Sequence, residues 1–220
     1  MKRNIKCIYM VWRRGRSDRR IKVGLVKRNQ TEGITFRYIE EGVKKAMLKG
    51  FNMYPDFPSP NEVYQTNVMD ILAGRLTNPE RADIQKYYDF WEISPDLKDD
   101  RYYVLAQTQG LLPTDNFEFI AEYYPVKDLR FMSEICGLSH YNIDAGTLTI
   151  GDKLTWELEK NNPYDSFAVK LYKGDIELGY VKTIHSKIFY TSKRKKFDII
   201  VKSIEQNGHI SRAFIAIRTI

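Results

Sequence analysis

From Val126 to its last residue the chain is built almost wholly of short β-like runs divided by turn signals, and that rhythm limits the architectures open to it. Strands are expected at Leu129–Gly137, Thr147–Ile150, Lys153–Leu158, Phe167–Tyr172, Ile176–Val181, Phe197–Glu205 and His209–Ile217. Gly151-Asp152, Lys173-Gly174-Asp175 and Asn207-Gly208 supply the reversals. Asn-Gly tolerates the positive φ of a tight hairpin turn, so 207–208 is the strongest such signal in the chain. One helix interrupts at Thr183–Thr191, where Ile184 and Ile188 stand four apart. Strands of this length and spacing close into a small barrel or stack as a sandwich.

Ahead of that region the pattern is mixed. Ile5–Trp12 and Ile21–Val26 flank the polar stretch Arg13–Arg20 and predict a hairpin with a basic tip. Ile34–Ile39 reads as a strand, followed by a helix from Glu41 to Leu48 with Val43, Ala46 and Met47 on one face and Gly50 as its stop. Ser59-Pro60-Asn61-Glu62 and Thr77-Asn78-Pro79-Glu80 have the form of helix-starting capping boxes. The first would launch a helix carrying Tyr64, Val68, Ile71 and Leu72, the second one carrying Ile84, Tyr88 and Trp91. Apolar stripes at that spacing face a core. Strands are expected again at Tyr102–Thr108 and Phe117–Glu122. The change of pattern at Pro125–Lys127 predicts an α+β chain of two domains, a mixed α/β domain over 1–125 and a β-barrel domain with one helix over 126–220.

Charge and composition narrow the function. The net charge is +7, yet residues 1–30 hold eleven Lys and Arg against the single acid Asp18. A second basic segment, Lys182–Lys196, holds Lys187, Lys193, Arg194, Lys195 and Lys196 and no acid. Such clusters favour polyanions by counterion release, and Phe189 and Tyr190 within the second could stack on bases. Solvated loops are the plainer account of a charge run taken alone. No apolar stretch is long enough to span a membrane, and the first residues are too polar for a signal peptide, so a cytoplasmic chain with no membrane partner is expected. Cys7 and Cys136 share no local motif, which argues against a disulfide scaffold or a Cys-rich zinc site. His140, His185 and His209 lie far apart, and no phosphate loop, His-Glu-x-x-His or nucleophile elbow is present. Neither a cofactor nor an enzymatic activity is expected.

One cluster stands apart: Glu159-Lys160-Asn161-Asn162-Pro163-Tyr164-Asp165, between a strand that ends at Leu158 and another that opens at Phe167. Asn, Pro and Asp are turn formers, and Asp165 could simply cap its own backbone. Around the cluster stand Gly137-Leu138-Ser139-His140-Tyr141, Gly151-Asp152-Lys153-Leu154 and Gly179-Tyr180-Val181-Lys182. In this order, across about Val126–Ile217, these landmarks resemble the HIRAN domain. The resemblance implies an OB- or SH3-like barrel that grips the free 3′ end of single-stranded DNA. It implies that Tyr164 stacks on a terminal base, that Asp165 accepts a hydrogen bond from the 3′ hydroxyl, and that Asn162, His140, Tyr141 and Tyr180 belong to the same pocket. Lys182 and Lys187 would hold backbone phosphates. Ser139 departs from the pattern, standing where the helicase-type domains carry Arg, and Thr183 and Ile184 replace more basic positions.

The N-terminal half, through Ile8–Trp12, Val23-Gly24-Leu25, Gly33–Tyr38 and Gly110–Asp115, is loosely similar to the N-terminal subdomain of HipA-like toxin kinases, without any kinase core. The expected function is therefore non-catalytic binding of single-stranded or 3′-ended DNA. The alternative is a kinase-less HipA-like regulator or interaction module of a toxin–antitoxin system, with a HipA-like kinase, helicase or nuclease as protein partner.

Overall fold

Apolar residues crowd Ile5–Trp12, and this segment forms strand β1 with Ile8, Met10 and Val11 buried. It pairs antiparallel with β2 (Ile21–Arg28), which pairs in turn with β3 (Ile34–Tyr38). Helix α1 (Glu40–Met47) then crosses β2 at Gly42, where a Cβ would collide with the carbonyl oxygen of Lys22. Only glycine permits that approach. The chain continues through β4 (Val63–Tyr64), α2 (Val68–Ala73), α3 (Ile84–Phe90), α4 (Arg101–Thr108) and β5 (Phe117–Tyr123). The sheet has the order β4-β3-β2-β1-β5. The computed structural model describes residues 4–15, 18–191 and 196–220.

Three expectations for the first 125 residues are corrected by the structure. Tyr102–Thr108 is helical, not extended: the Asp100 carboxylate accepts from the backbone N–H groups of Tyr102 and Tyr103 at 3.1 and 3.2 Å, and every residue from Tyr102 to Thr108 is buried. A run apolar enough to be buried all round loses the periodicity that separates helix from strand, so only the cap distinguished them. The Ser59 box starts no helix. Tyr64 lies in β4 instead, its hydroxyl accepting from the Ser59 N–H at 2.7 Å and its ring 4.9 Å from that of Phe57. The Thr77 box is likewise a turn, with the first helical residue at Ile84.

Two compact units divide the chain: residues 4–89 with Ile93–Glu122, and Phe90–Glu92 with Tyr123–Ile220. The second contains β6 (Arg130–Cys136), α5 (Leu138–Tyr141), β7 (Lys153–Glu159), β8 (Ala168–Lys173), β9 (Ile176–Val181), α6 (Thr183–Thr191), β10 (Phe197–Asn207) and β11 (His209–Thr219). Its strands close into a barrel of order β10-β11-β6-β9-β8-β7, with Leu154 opposite Ile199 sealing the last seam. Full closure removes exposed strand edges. Phe131, Val169, Leu171, Leu178, Val201 and Ile215 are buried in this unit. Gly179, at φ +128°, lets β9 come so close to Cys136 that a Cβ would strike its carbonyl oxygen. Thr147–Ile150 is not a strand but part of a turn, where the Asp152 carboxylate accepts from the Thr149 N–H at 2.8 Å. Trp91 packs edge-on against Phe214 at 5.6 Å, and Glu92 pairs with Arg218 at 2.6 Å and Lys202 at 3.1 Å.

Candidate functional site

The antiparallel pairing of β7 with β8 places Glu159 opposite Ala168 and Glu157 opposite Lys170, so the loop 160–167 closes the end of a hairpin. Inside it, the Asn162 carboxamide oxygen accepts from the backbone N–H of Tyr164 at 2.9 Å and of Asp165 at 3.1 Å. The Asp165 carboxylate in turn accepts from the Phe167 N–H at 2.9 Å. These two side-chain turns fix the loop locally and leave the Tyr164 ring 77% exposed, while Asp165 is half-buried. A large exposed aromatic on an ordered turn is available for stacking at little entropic cost.

Side chains gather on both flanks of this loop. On one, the Phe167 ring stands edge-on to Tyr190 of α6 at 5.2 Å, with the Lys187 ammonium 5.8 Å from its centroid. Tyr190 anchors α6 by donating to the Ala168 carbonyl at 2.9 Å. Burial, and then the negative charges of Asp165 and Glu159, hold its phenol above the usual range. On the other flank, the Asn162 amide donates to Glu159 at 2.6 Å and Lys170 pairs with Glu159 at 3.1 Å and Glu177 at 3.5 Å. Tyr180, opposite Lys170 in β9, has its ring centroid 5.8 Å from the Lys170 ammonium, and Tyr141 reaches the Tyr180 hydroxyl at 3.4 Å. His140 stands edge-on to Tyr141 at 5.6 Å and is exposed. The hydrogen bond from Asn162 foremost, aided by Lys170 and Tyr180 against a burial cost, holds the Glu159 carboxyl below its ordinary range. The same carboxylate raises Lys170 above the ordinary lysine range. An open groove of about 440 Å³ lies beside the loop, lined by Glu157, Leu158, Glu159, Lys160, Asn161, Lys170 and Tyr172.

The fold thus links Asn162, Tyr180, Tyr141 and His140 into one network next to Tyr164 and Asp165, and sets Lys187 on the far flank. Lys182 is a correction. Its side chain is 1% exposed and paired with Glu134 at 3.2 Å, because the β6–β9 pairing of Ile135 with Val181 brings the two side by side. Glu134 also meets Arg212 at 3.2 Å. A lysine buried in such a cluster does not face a phosphate chain. In the basic tip of the β1–β2 hairpin, Arg13 and Arg20 both pair with the buried Glu118, at 3.1 and 2.9 Å, while Arg14 and Arg19 are exposed. Arg16, Lys193, Arg194 and Lys195 lie outside the described residues. The sequence marked Glu159 and Phe167 only as the two ends of the turn cluster and gave neither them nor Lys170 a role in the site. Strand alternation alone would have put Glu157, Glu159, Lys170 and Tyr172 on one face of the hairpin, had the register been known.

His185 is buried, 2.9 Å from the Ser133 hydroxyl, and His209 faces Asp144 at 3.3 Å. Among the described residues no group of three or more His, Cys, Asp or Glu is placed to hold a metal, and no helix is long and apolar enough to cross a membrane.

No curated protein matches the chain. Among solved structures, the crystal structure of the HIRAN domain of human HLTF is similar to it at 17% identity and a TM-score of 0.34, covering 41% of this chain and 74% of that one. Nothing in these comparisons supports the HipA-like reading of the N-terminal unit. Residues 129–216 match the family model of the HIRAN domain, which places a HIRAN domain in the barrel and leaves residues 1–128 outside the match.

Proposed function

We propose that the barrel binds single-stranded DNA at its free 3′ end, with Tyr164 stacking on the terminal base and Asp165 accepting a hydrogen bond from the 3′ hydroxyl. The observation that carries this reading is the pairing, on one ordered turn, of an exposed aromatic ring with a half-buried, oriented carboxylate. Stacking is indifferent to base identity, so the ring supplies affinity without sequence preference. The carboxylate would repel an internal phosphodiester or a terminal phosphate and favours a hydroxyl donor, so it supplies the discrimination. In this reading Lys187, whose ammonium lies 5.8 Å from the Phe167 ring centroid, would meet a backbone phosphate. The HIRAN match at 129–216 supports the same reading.

Fluorescence anisotropy with labelled oligonucleotides ending in a 3′ hydroxyl or a 3′ phosphate tests it. Tighter binding of the hydroxyl end, abolished by Asp165→Ala, is expected. Equal affinity for the two ends would remove end recognition.

A further inference from the structure

The loop that carries Tyr164 and Asp165 depends on the orientation of a single carboxamide. The Asn162 oxygen must point at two backbone N–H groups, and its NH₂ must point the other way. In that direction stands Glu159, accepting at 2.6 Å from the last position of β7. An amide has two faces that differ only in which end donates, and a carboxylate partner admits one of them. Glu159 is itself held: Lys170 from β8 pairs with it at 3.1 Å. Lys170 also balances its charge, so the carboxylate adds little repulsion against an approaching nucleic acid.

We infer that Glu159 is a positioning residue for end discrimination: by fixing the Asn162 amide it aims the Tyr164–Asp165 turn, without itself touching the DNA. The inference rests on the 3′-end reading given above and adds to it the residue that sets its selectivity. The requirement is for an acceptor facing the Asn162 NH₂, whose oxygen the Tyr164 and Asp165 N–H groups already hold; glutamine can turn its carbonyl oxygen to that place and alanine offers none.

The test uses the full chain and its variants Glu159→Gln and Glu159→Ala. The Asn162 side-chain amide resonances in the ¹H–¹⁵N spectrum, recorded without DNA, report whether its NH₂ is held by an acceptor at position 159. Anisotropy then gives the ratio of affinities for 3′-hydroxyl and 3′-phosphate oligonucleotides. In E159A the Asn162 resonances should move and the ratio should fall about tenfold, the scale of one lost charge-assisted hydrogen bond. In E159Q the ratio should stay within about twofold of wild type, a rescue that general loosening of the hairpin would not give. E159A with unchanged resonances and ratio would overturn the inference, as would E159Q behaving like E159A. A wild-type ratio of one refutes the end-recognition reading instead, and the amide resonances still decide whether Glu159 orients Asn162.

Discussion

Replacing Lys182 by methionine separates a structural cation from a DNA-binding one. Methionine keeps most of the alkyl volume and removes the ammonium that faces Glu134 at 3.2 Å in a cluster where the lysine is 1% exposed. Removing one partner of a buried pair costs about 3–5 kcal/mol, because the other charge stays buried. Here Glu134 retains Arg212 at 3.2 Å, so the low end of that scale applies, about 3 kcal/mol. Urea unfolding of the full chain at neutral pH measures it as a lowered midpoint with an unchanged slope for this unit. The salt dependence of oligonucleotide binding should not move. Lys187→Ala gives the opposite signature: near-native stability, and a slope of log affinity against log salt reduced by about 0.7, one phosphate contact on a single strand. A K182M variant of full stability with a reduced salt slope would refute the assignment of Lys182 to the interior.

Three further outcomes follow from particular contacts. Tyr164→Ala should weaken oligonucleotide binding by about 1–3 kcal/mol in anisotropy titrations while Tyr164→Phe stays close to wild type, because stacking needs the ring and not the hydroxyl. Trp91→Ala removes a buried ring set edge-on against Phe214 and should destabilise the barrel unit by about 3–5 kcal/mol in denaturant. Asp100→Ala should lower stability at neutral pH by about 2 kcal/mol, through loss of the α4 cap and of its pairing with Arg28. Burial opposes charge on Asp100, but Arg28 and the N–H groups of Tyr103 and Tyr102 outweigh it and hold the carboxyl below its ordinary range. Its contribution is therefore complete above the unfolded carboxylate pKa of about 3.9 and is lost as pH falls through the lower folded value. A stability–pH profile of wild type between pH 2 and about 5 should show that slope, and the variant should lack its share.

The periodicity of the barrel strands, the Asn207-Gly208 hairpin and α6 at Thr183–Thr191 were all legible in the sequence, because turn chemistry and alternation are local properties. The β1–β2 hairpin was legible for the same reason. Local signals failed where tertiary packing decided the outcome. Tyr102–Thr108 is buried on every side and so carries no helical stripe, and Tyr64, expected in a helix launched by the Ser59–Glu62 box, packs instead beside Phe57 at the edge of β3. The Asn162–Asp165 turn could be found from its residue types alone. That Glu159, Lys170 and Tyr180 stand around it depends on the register of three strands, which sequence does not state. Charge shows the division most plainly. The sequence determines how many cations the chain has and where they cluster, but burial decides which of them a polyanion can meet. Lys182 and Lys187 lie five positions apart on one basic segment, yet the β6–β9 pairing commits the first to Glu134 and α6 leaves the second beside the loop.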